Sequence, residues 1–277
     1  MKSPGAEYDY SYRTGCCPFR AYAGDERFSY SLYAPEDLSD FGAAPLIIPV
    51  HGTDRTPEVD RDRFISVAKK HGAIVLAPLF PAGVGTHEDI DDYKFLEGHG
   101  IRYDQLLLGM IEEVRAYYGC RGRLLLYGFS GGAQFVHRFA LLYPELVLAA
   151  SIASPGLVTL PLEDRPWWVG IEDVERRFGK PVDWEALRQV HVQLLVGGKD
   201  VHTGEITLAP DDPLWMEGWD LAGATRQDHV RALRDAWGKR GVASELEVVP
   251  NVGHDDRHLW PRAARFFGSV LGGLLTK

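Results

Sequence analysis

Apolar positions along the chain fall into two periods. Short apolar runs of buried-strand type occupy residues 45–50, 73–78, 123–127, 147–153, 192–196 and 244–249. Between them, apolar residues recur at three- and four-residue steps. Leu106, Leu107, Met110, Ile111, Val114 and Tyr117 do so over 103–118, which predicts an amphipathic helix closed by Gly119. Further helices are predicted over 63–71, 133–142, 225–241 and 258–275. Strand and helix thus alternate from residue 45 onward. The expectation is an α/β fold, a mostly parallel sheet with helices on both faces.

Ahead of this, 19–23 and 26–33 read as two strands joined by a two-residue turn at Gly24-Asp25. In the second strand Phe28, Tyr30 and Leu32 alternate with Arg27, Ser29, Ser31 and Tyr33. That period of two predicts a half-exposed antiparallel strand. Residues 1–17 read as a polar arm.

Two segments break the rhythm. Residues 155–190 hold four prolines and Trp167, Trp168 and Trp184, with short helical stretches near 172–178 and 184–190. They are too few to bury a core of their own, so they read as an insertion over the sheet within a single domain spanning 1–277. Residues 201–224 are irregular and carry Trp215 and Trp219.

Length and composition narrow the class. The 277 residues, 45% hydrophobic and 25% charged, suit one large globular domain. The net charge of −9 argues against nucleic acid or an anionic membrane surface as partner. No run approaches a membrane span and no apolar leader segment is visible, so a cytoplasmic location is expected. Three cysteines, Cys16, Cys17 and Cys120, make no disulfide framework and read as reduced thiols.

The chemistry centres on Gly128-Phe129-Ser130-Gly131-Gly132, a G-x-S-x-G pattern between a predicted strand and a predicted helix. Such a turn holds a serine at a strained tip with its hydroxyl free. Glycines two residues either side avoid a collision there. Gly131 opens the helix, so its N–H is free to meet an oxyanion.

A serine needs a base, and the base needs a carboxylate. Asp200 lies just past the strand 192–196, after Gly197-Gly198-Lys199. Asp211, Asp212 and Glu205 are the alternatives for the acid. Among ten histidines, His254 follows a strand by a short loop with Gly253 before it. A metal site at His254 and His258 would need one helix through both, against Pro250 and Gly253.

On Val50-His51-Gly52-Thr53, the Ser130 pentapeptide, Gly198-Lys199-Asp200 and Gly253-His254, the chain resembles the α/β-hydrolase superfamily from about residue 26 onward. Gly-Phe-Ser-Gly-Gly followed by 138–144 resembles its esterase and polyhydroxyalkanoate-depolymerase-like branch. The resemblance implies the chain order Ser, Asp, His, with Ser130 as nucleophile, Asp200 as acid and His254 as base. It also implies oxyanion donors at Gly131 and Thr53, His51 being structural. The implied reaction is hydrolysis of a small-molecule carboxylic ester through an acyl-enzyme, needing no metal or organic cofactor. A peptidase or amidase with the same triad, and a non-catalytic ligand-binding relative, stay open, as does homo-oligomerisation. Phe80, Trp167, Trp168 and Trp215 are candidates for the substrate pocket. The alternative is that the tryptophans pack the insertion onto the body.

Overall fold

In a computed structural model, which describes residues 13–38 and 40–275, the apolar runs become the strands of one eight-stranded sheet. The strands are β1 (Gly15–Ala21), β2 (Ser29–Ala34), β3 (Leu46–Val50) and β4 (Ile74–Leu79), then, after a two-stranded hairpin β5 (Glu97–Gly98) and β6 (Ile101–Arg102), β7 (Leu124–Phe129), β8 (Val147–Ala153), β9 (His191–Gly197) and β10 (Ser244–Val249). Their order is β1-β2-β4-β3-β7-β8-β9-β10. β1 and β2 form the expected antiparallel hairpin, and β3–β4, β8–β9 and β9–β10 pair in parallel. The helices are α1 (Pro57–His71), α2 (Tyr103–Tyr118), α3 (Gly131–Leu142), α4 (Val174–Phe178), α5 (Trp184–Leu187), α6 (Arg226–Lys239) and α7 (Trp260–Leu275). No helix among the described residues is long and apolar enough to cross a membrane.

The chain divides into two compact units, residues 1–126 with 264–277, and residues 127–263. In the first, α1 starts two turns before the apolar face that predicts it. Pro57 at the first helical position presets φ for the turn. Besides Pro57, the buried positions of these extra turns are polar: Asp60 pairs with Arg63 at 2.6 Å, and Arg61 donates to Ser31 Oγ at 3.0 Å. Hydrophobic periodicity carries no trace of such a face. The same contact corrects the reading of β2, which is buried on both faces because Arg61 covers the Ser31 side.

The hairpin turn is also longer than two residues. The strands end at Ala21 and resume at Ser29. Tyr22 N–H bonds Phe28 O at 3.0 Å, and the Asp25 carboxylate accepts from Arg27 N–H at 3.2 Å. An Asp side chain that bonds the backbone two residues on favours this wider turn. Of the arm, residues 1–12 lie outside the described residues, and Gly15, Cys16 and Cys17 belong to β1. All three cysteines are free thiols.

The second unit holds β8–β10, α3 and the 155–190 segment. Leu160 N–H bonds Val169 O at 3.1 Å and Ile171 N–H bonds Leu162 O at 2.9 Å, so the segment closes on itself. It is pinned to α3 by two buried side chains. His137 Nε2 accepts Thr159 N–H at 3.0 Å, and Arg138 Nε donates to Thr159 Oγ1 at 2.8 Å.

His137 and His51 are both buried and each is held in one tautomer. His137 Nδ1 donates to Ala133 O at 2.9 Å. His51 Nδ1 donates to Gly52 O at 2.8 Å while its Nε2 accepts Phe80 N–H at 3.0 Å. Burial drives His51 down to about 3, with Arg55 and Lys94 adding to it. Burial, then Arg138, drives His137 well below the ordinary imidazole range.

The unfolded chain protonates these imidazoles near pH ~6.5 while the fold keeps them neutral. Stability is therefore intact above that pH and falls as pH drops below it. Each histidine adds a slope of up to about 1.4 kcal/mol per pH unit. Denaturant unfolding between pH 7.5 and 4.5 checks this, and His137→Gln is expected to flatten the slope.

Candidate active site

The site in the second unit is assembled from residues just past the ends of neighbouring strands: Ser130 after β7, Ser154 after β8, Asp200 after β9 and His254 after β10. Open sheets with parallel strands present ligand sites at such ends.

Ser130 has φ +54° and ψ −112°, a strained conformation for a residue with a side chain. Its own N–H is tied to Ala153 O at 2.9 Å. The turn is tight enough that a Cβ on Gly128 would lie 2.2 Å from the Gly132 carbonyl carbon, so position 128 accepts glycine alone. α3 begins at Gly131, one residue past the serine, and the Gly131 N–H has no acceptor within the helix.

Asp200 and His254 meet directly. Asp200 Oδ2 lies 2.8 Å from His254 Nδ1. The carboxylate is fully buried and the imidazole partly exposed. The His254 ring also lies over Phe129, the residue before the serine, with ring centroids 4.5 Å apart. Burial pushes the Asp200 carboxyl up, but His254, Ser154 and Arg226 together hold it below the usual carboxylate range, so it stays ionised. A carboxylate on Nδ1 fixes the tautomer that leaves Nε2 with a free lone pair, able to accept a proton.

The two loops that carry this pair are stitched by backbone. Gly198 N–H bonds Val249 O and Lys199 N–H bonds Val252 O, both at 2.7 Å. A Cβ on Gly197 would sit 2.3 Å from Gly253 O and 2.4 Å from Val252 O. Farther on, the Tyr127 hydroxyl bonds the Asp256 carboxylate and anchors the same loop to β7. His254 and His258 do not share a helix, because a 3-10 turn begins only at Asp256. The other candidates for the acid lie elsewhere: Asp212 accepts Leu214 N–H at 2.8 Å in a turn, Asp211 is exposed, and Glu205 pairs with Arg226 at 3.0 Å.

Ser154 and Arg226 were not legible as site residues. Ser154 has φ +48° and a buried hydroxyl facing Asp200 outside hydrogen-bond geometry. Arg226 is the first residue of α6, inside the Thr225–Asp228 capping box and directly after its N-cap Thr225. A cation there opposes the helix dipole, and that is the one sequence signal that it has an anion to meet.

The expected pocket aromatics divide. Trp167 and Trp168 are 4% and 5% exposed. Trp167 packs on Phe178 with ring centroids 4.8 Å apart, and the Arg138 guanidinium lies over Trp168 at 5.7 Å. Trp168 Nε1 donates to Leu214 O at 3.2 Å. Packing accounts for both. Trp215, at 41% exposed, has surface to offer.

In the first unit, Phe80 is 0% exposed, enclosed by Phe28, His51, Tyr93 and Tyr103, so its ring has no free face for a ligand. His51 is a buried structural residue of that cluster, and Thr53 lies exposed in the turn after β3. Among the described residues, Asp89, Asp92 and His99 place one ligand atom each within 4.8 Å of one another. The exposed His99 is bonded to Asp92 at 2.7 Å, an ion pair complete without a metal.

No family model matches the chain, and no curated protein matches it. Solved structures do. A poly(aspartic acid) hydrolase-1 from Sphingomonas sp. KT-1 superposes with a TM-score of 0.71 at 19% identity, covering 92% of this chain and 98% of the other. LpqC, a poly(3-hydroxybutyrate) depolymerase from Bordetella parapertussis, gives 0.71 at 22% identity, with 92% and 90% covered. A ferulic acid esterase gives 0.60 at 14% identity, with 88% and 92% covered. With its mostly parallel eight-stranded sheet, antiparallel N-terminal hairpin and surrounding helices, the chain has the α/β-hydrolase fold.

Proposed function

We propose that the protein is a serine hydrolase that cleaves carboxylic esters through an acyl-enzyme on Ser130. The observation that carries this is the 2.8 Å bond between a buried, ionised Asp200 and His254, beside a serine held at φ +54°. The similar solved structures named as an esterase and a depolymerase support the same reading.

In this mechanism His254 Nε2 takes the Ser130 proton as Oγ attacks the ester carbonyl. Asp200 stabilises the imidazolium that forms. The tetrahedral oxyanion accepts from the Gly131 N–H, which α3 leaves without an acceptor of its own. His254 then protonates the departing alcohol. A water, deprotonated by His254, attacks the acyl-enzyme, and collapse of the second tetrahedral intermediate frees the acid and Ser130. Trp215 is the aromatic we assign to substrate contact, on the ground of its exposed face. An exposed indole offers apolar surface that suits an acyl or aryl group.

Three measurements test the reading. Wild type is expected to hydrolyse short-chain aryl esters and to label with a fluorophosphonate, and Ser130→Ala to do neither. Labelling that persists in Ser130→Ala would sink the assignment, and turnover of anilides at rates matching the esters would move it to an amidase. Asp200→Asn is expected to lower kcat by about 10⁴-fold with the fold intact, because the imidazole loses its tautomer and its counter-charge. Gly197→Ala, which drives a methyl into the Gly253 and Val252 carbonyls, is expected to cut kcat by at least tenfold by shifting His254 off Asp200. Equal kcat in Gly197→Ala and wild type would show that the loop seam does not set the pair.

A further inference from the structure

Behind the Asp200–His254 pair lies a second layer that the proposed mechanism does not use. Asp200 spends Oδ2 on His254. Its other oxygen, Oδ1, is buried and has no hydrogen-bond partner. The nearest cation to that oxygen is Arg226, whose Nη1 lies 3.6 Å away. The Arg226 side chain is 4% exposed, so the two charges face each other out of water. The direct hydrogen bonds of Arg226 go elsewhere: Nη2 donates to Glu205 at 3.0 Å, and Nη1 to the His202 carbonyl at 3.4 Å.

This arrangement has a physical logic. A buried carboxylate that must remain charged needs a compensating cation, because desolvation penalises the ion. A cation that hydrogen-bonded both oxygens would hold the carboxylate in its own orientation and draw it from the imidazole. At 3.6 Å Arg226 supplies its field and leaves the geometry to His254. The placement of Arg226 also costs something by itself, since it puts a positive charge in the first turn of α6, against the helix dipole. A pairing with Asp200 offsets that cost.

Resting on the serine-hydrolase reading, we propose that Arg226 is a positioning residue of the site: it balances the charge of Asp200 from behind, with Ser154 alongside, and ties the acid to the segment 202–205. The charged and titratable groups facing the Asp200 carboxylate are His254 and Arg226, with the Ser154 hydroxyl beside them. Glu205 faces only the far side of the guanidinium. Arg226 touches neither the nucleophile nor the reacting atoms. It acts through Asp200, keeping it ionised and aimed while the imidazole is neutral.

The test compares Arg226→Gln and Arg226→Lys with wild type. Arg226→Gln is expected to lower kcat about tenfold with KM within about twofold, since the effect falls on the acid rather than on substrate binding. Removing the cation favours protonation of the Asp200–His254 pair taken as a unit, so the acid limb of kcat/KM moves to higher pH. Arg226→Lys restores the charge without the planar fork and is expected to bring the limb back toward wild type. A second readout is independent of turnover: the downfield imidazole proton on His254 Nδ1, followed by NMR as a function of pH. Its transition is expected to shift up in Arg226→Gln and return in Arg226→Lys. A Gln variant that loses thermal stability while both the pH limb and this proton stay put would overturn the proposal and make Arg226 a loop anchor. If wild type turned over no ester, the NMR transition would still decide the role of Arg226, while the serine-hydrolase reading would fall separately.

Discussion

Everything at the candidate site depends on parallel pairing in β8–β9–β10 beside β7. Parallel strands end on the same side, so four loops that are far apart in sequence emerge together. Ser130, Ser154, Asp200 and His254 occupy those four loops. The registers then matter to the residue. Val249 pairs with Gly197 at the strand ends, so the chain leaves β9 and β10 at one level. The backbone bonds from Gly198 and Lys199 to Val249 and Val252 continue that pairing past the sheet. The 2.8 Å contact between acid and histidine is thus an extension of the sheet ladder rather than an isolated side-chain event.

Glycine makes the approach physically available at two points. At Gly128 the main chain of Gly132 comes too close for a methyl, and at Gly197 the carbonyls of Val252 and Gly253 do. The first holds the serine in a conformation that costs on the order of 1–3 kcal/mol and persists because neighbours over-determine it. The second lets one loop rest against another without a side chain between them. Strain at Ser130 and closeness at Asp200 are therefore secured by the same device. Electrostatics completes the arrangement: a desolvated carboxylate is held ionised by His254, Ser154 and Arg226.

Much of this was legible in the chain. The helix 103–118 and the strand 147–153 appear at the residues their patterns predict, because both bury apolar positions at a clean period. Asp200 and His254 were legible because strand ends and glycine turns leave a local signature. Other features hide for specific reasons. The first turns of α1 bury Asp60 and Arg61, which look like surface residues until Arg63 and Ser31 are placed beside them. Phe80 looked available for a ligand because nothing local reveals that Phe28, Tyr93 and Tyr103 enclose it. Arg226 and Ser154 are distant in sequence from Asp200, and a 3.6 Å charge contact leaves no periodicity to read.

The burial of Trp167 and Trp168 bears on how the protein can diverge over evolution. Their rings are committed to Phe178 and Arg138, and the Thr159 hydroxyl, itself bonded by Arg138, donates to Trp168 O at 2.6 Å. Change at these buried positions is therefore tightly constrained, since each replacement there disturbs several partners at once. At the exposed positions of 201–224 the situation is reversed. Val201, Trp215 and Leu221 lie at the surface, where exchanges have little effect on folding. Sequence can therefore vary at those exposed positions, while the buried tryptophan pair before them stays nearly fixed.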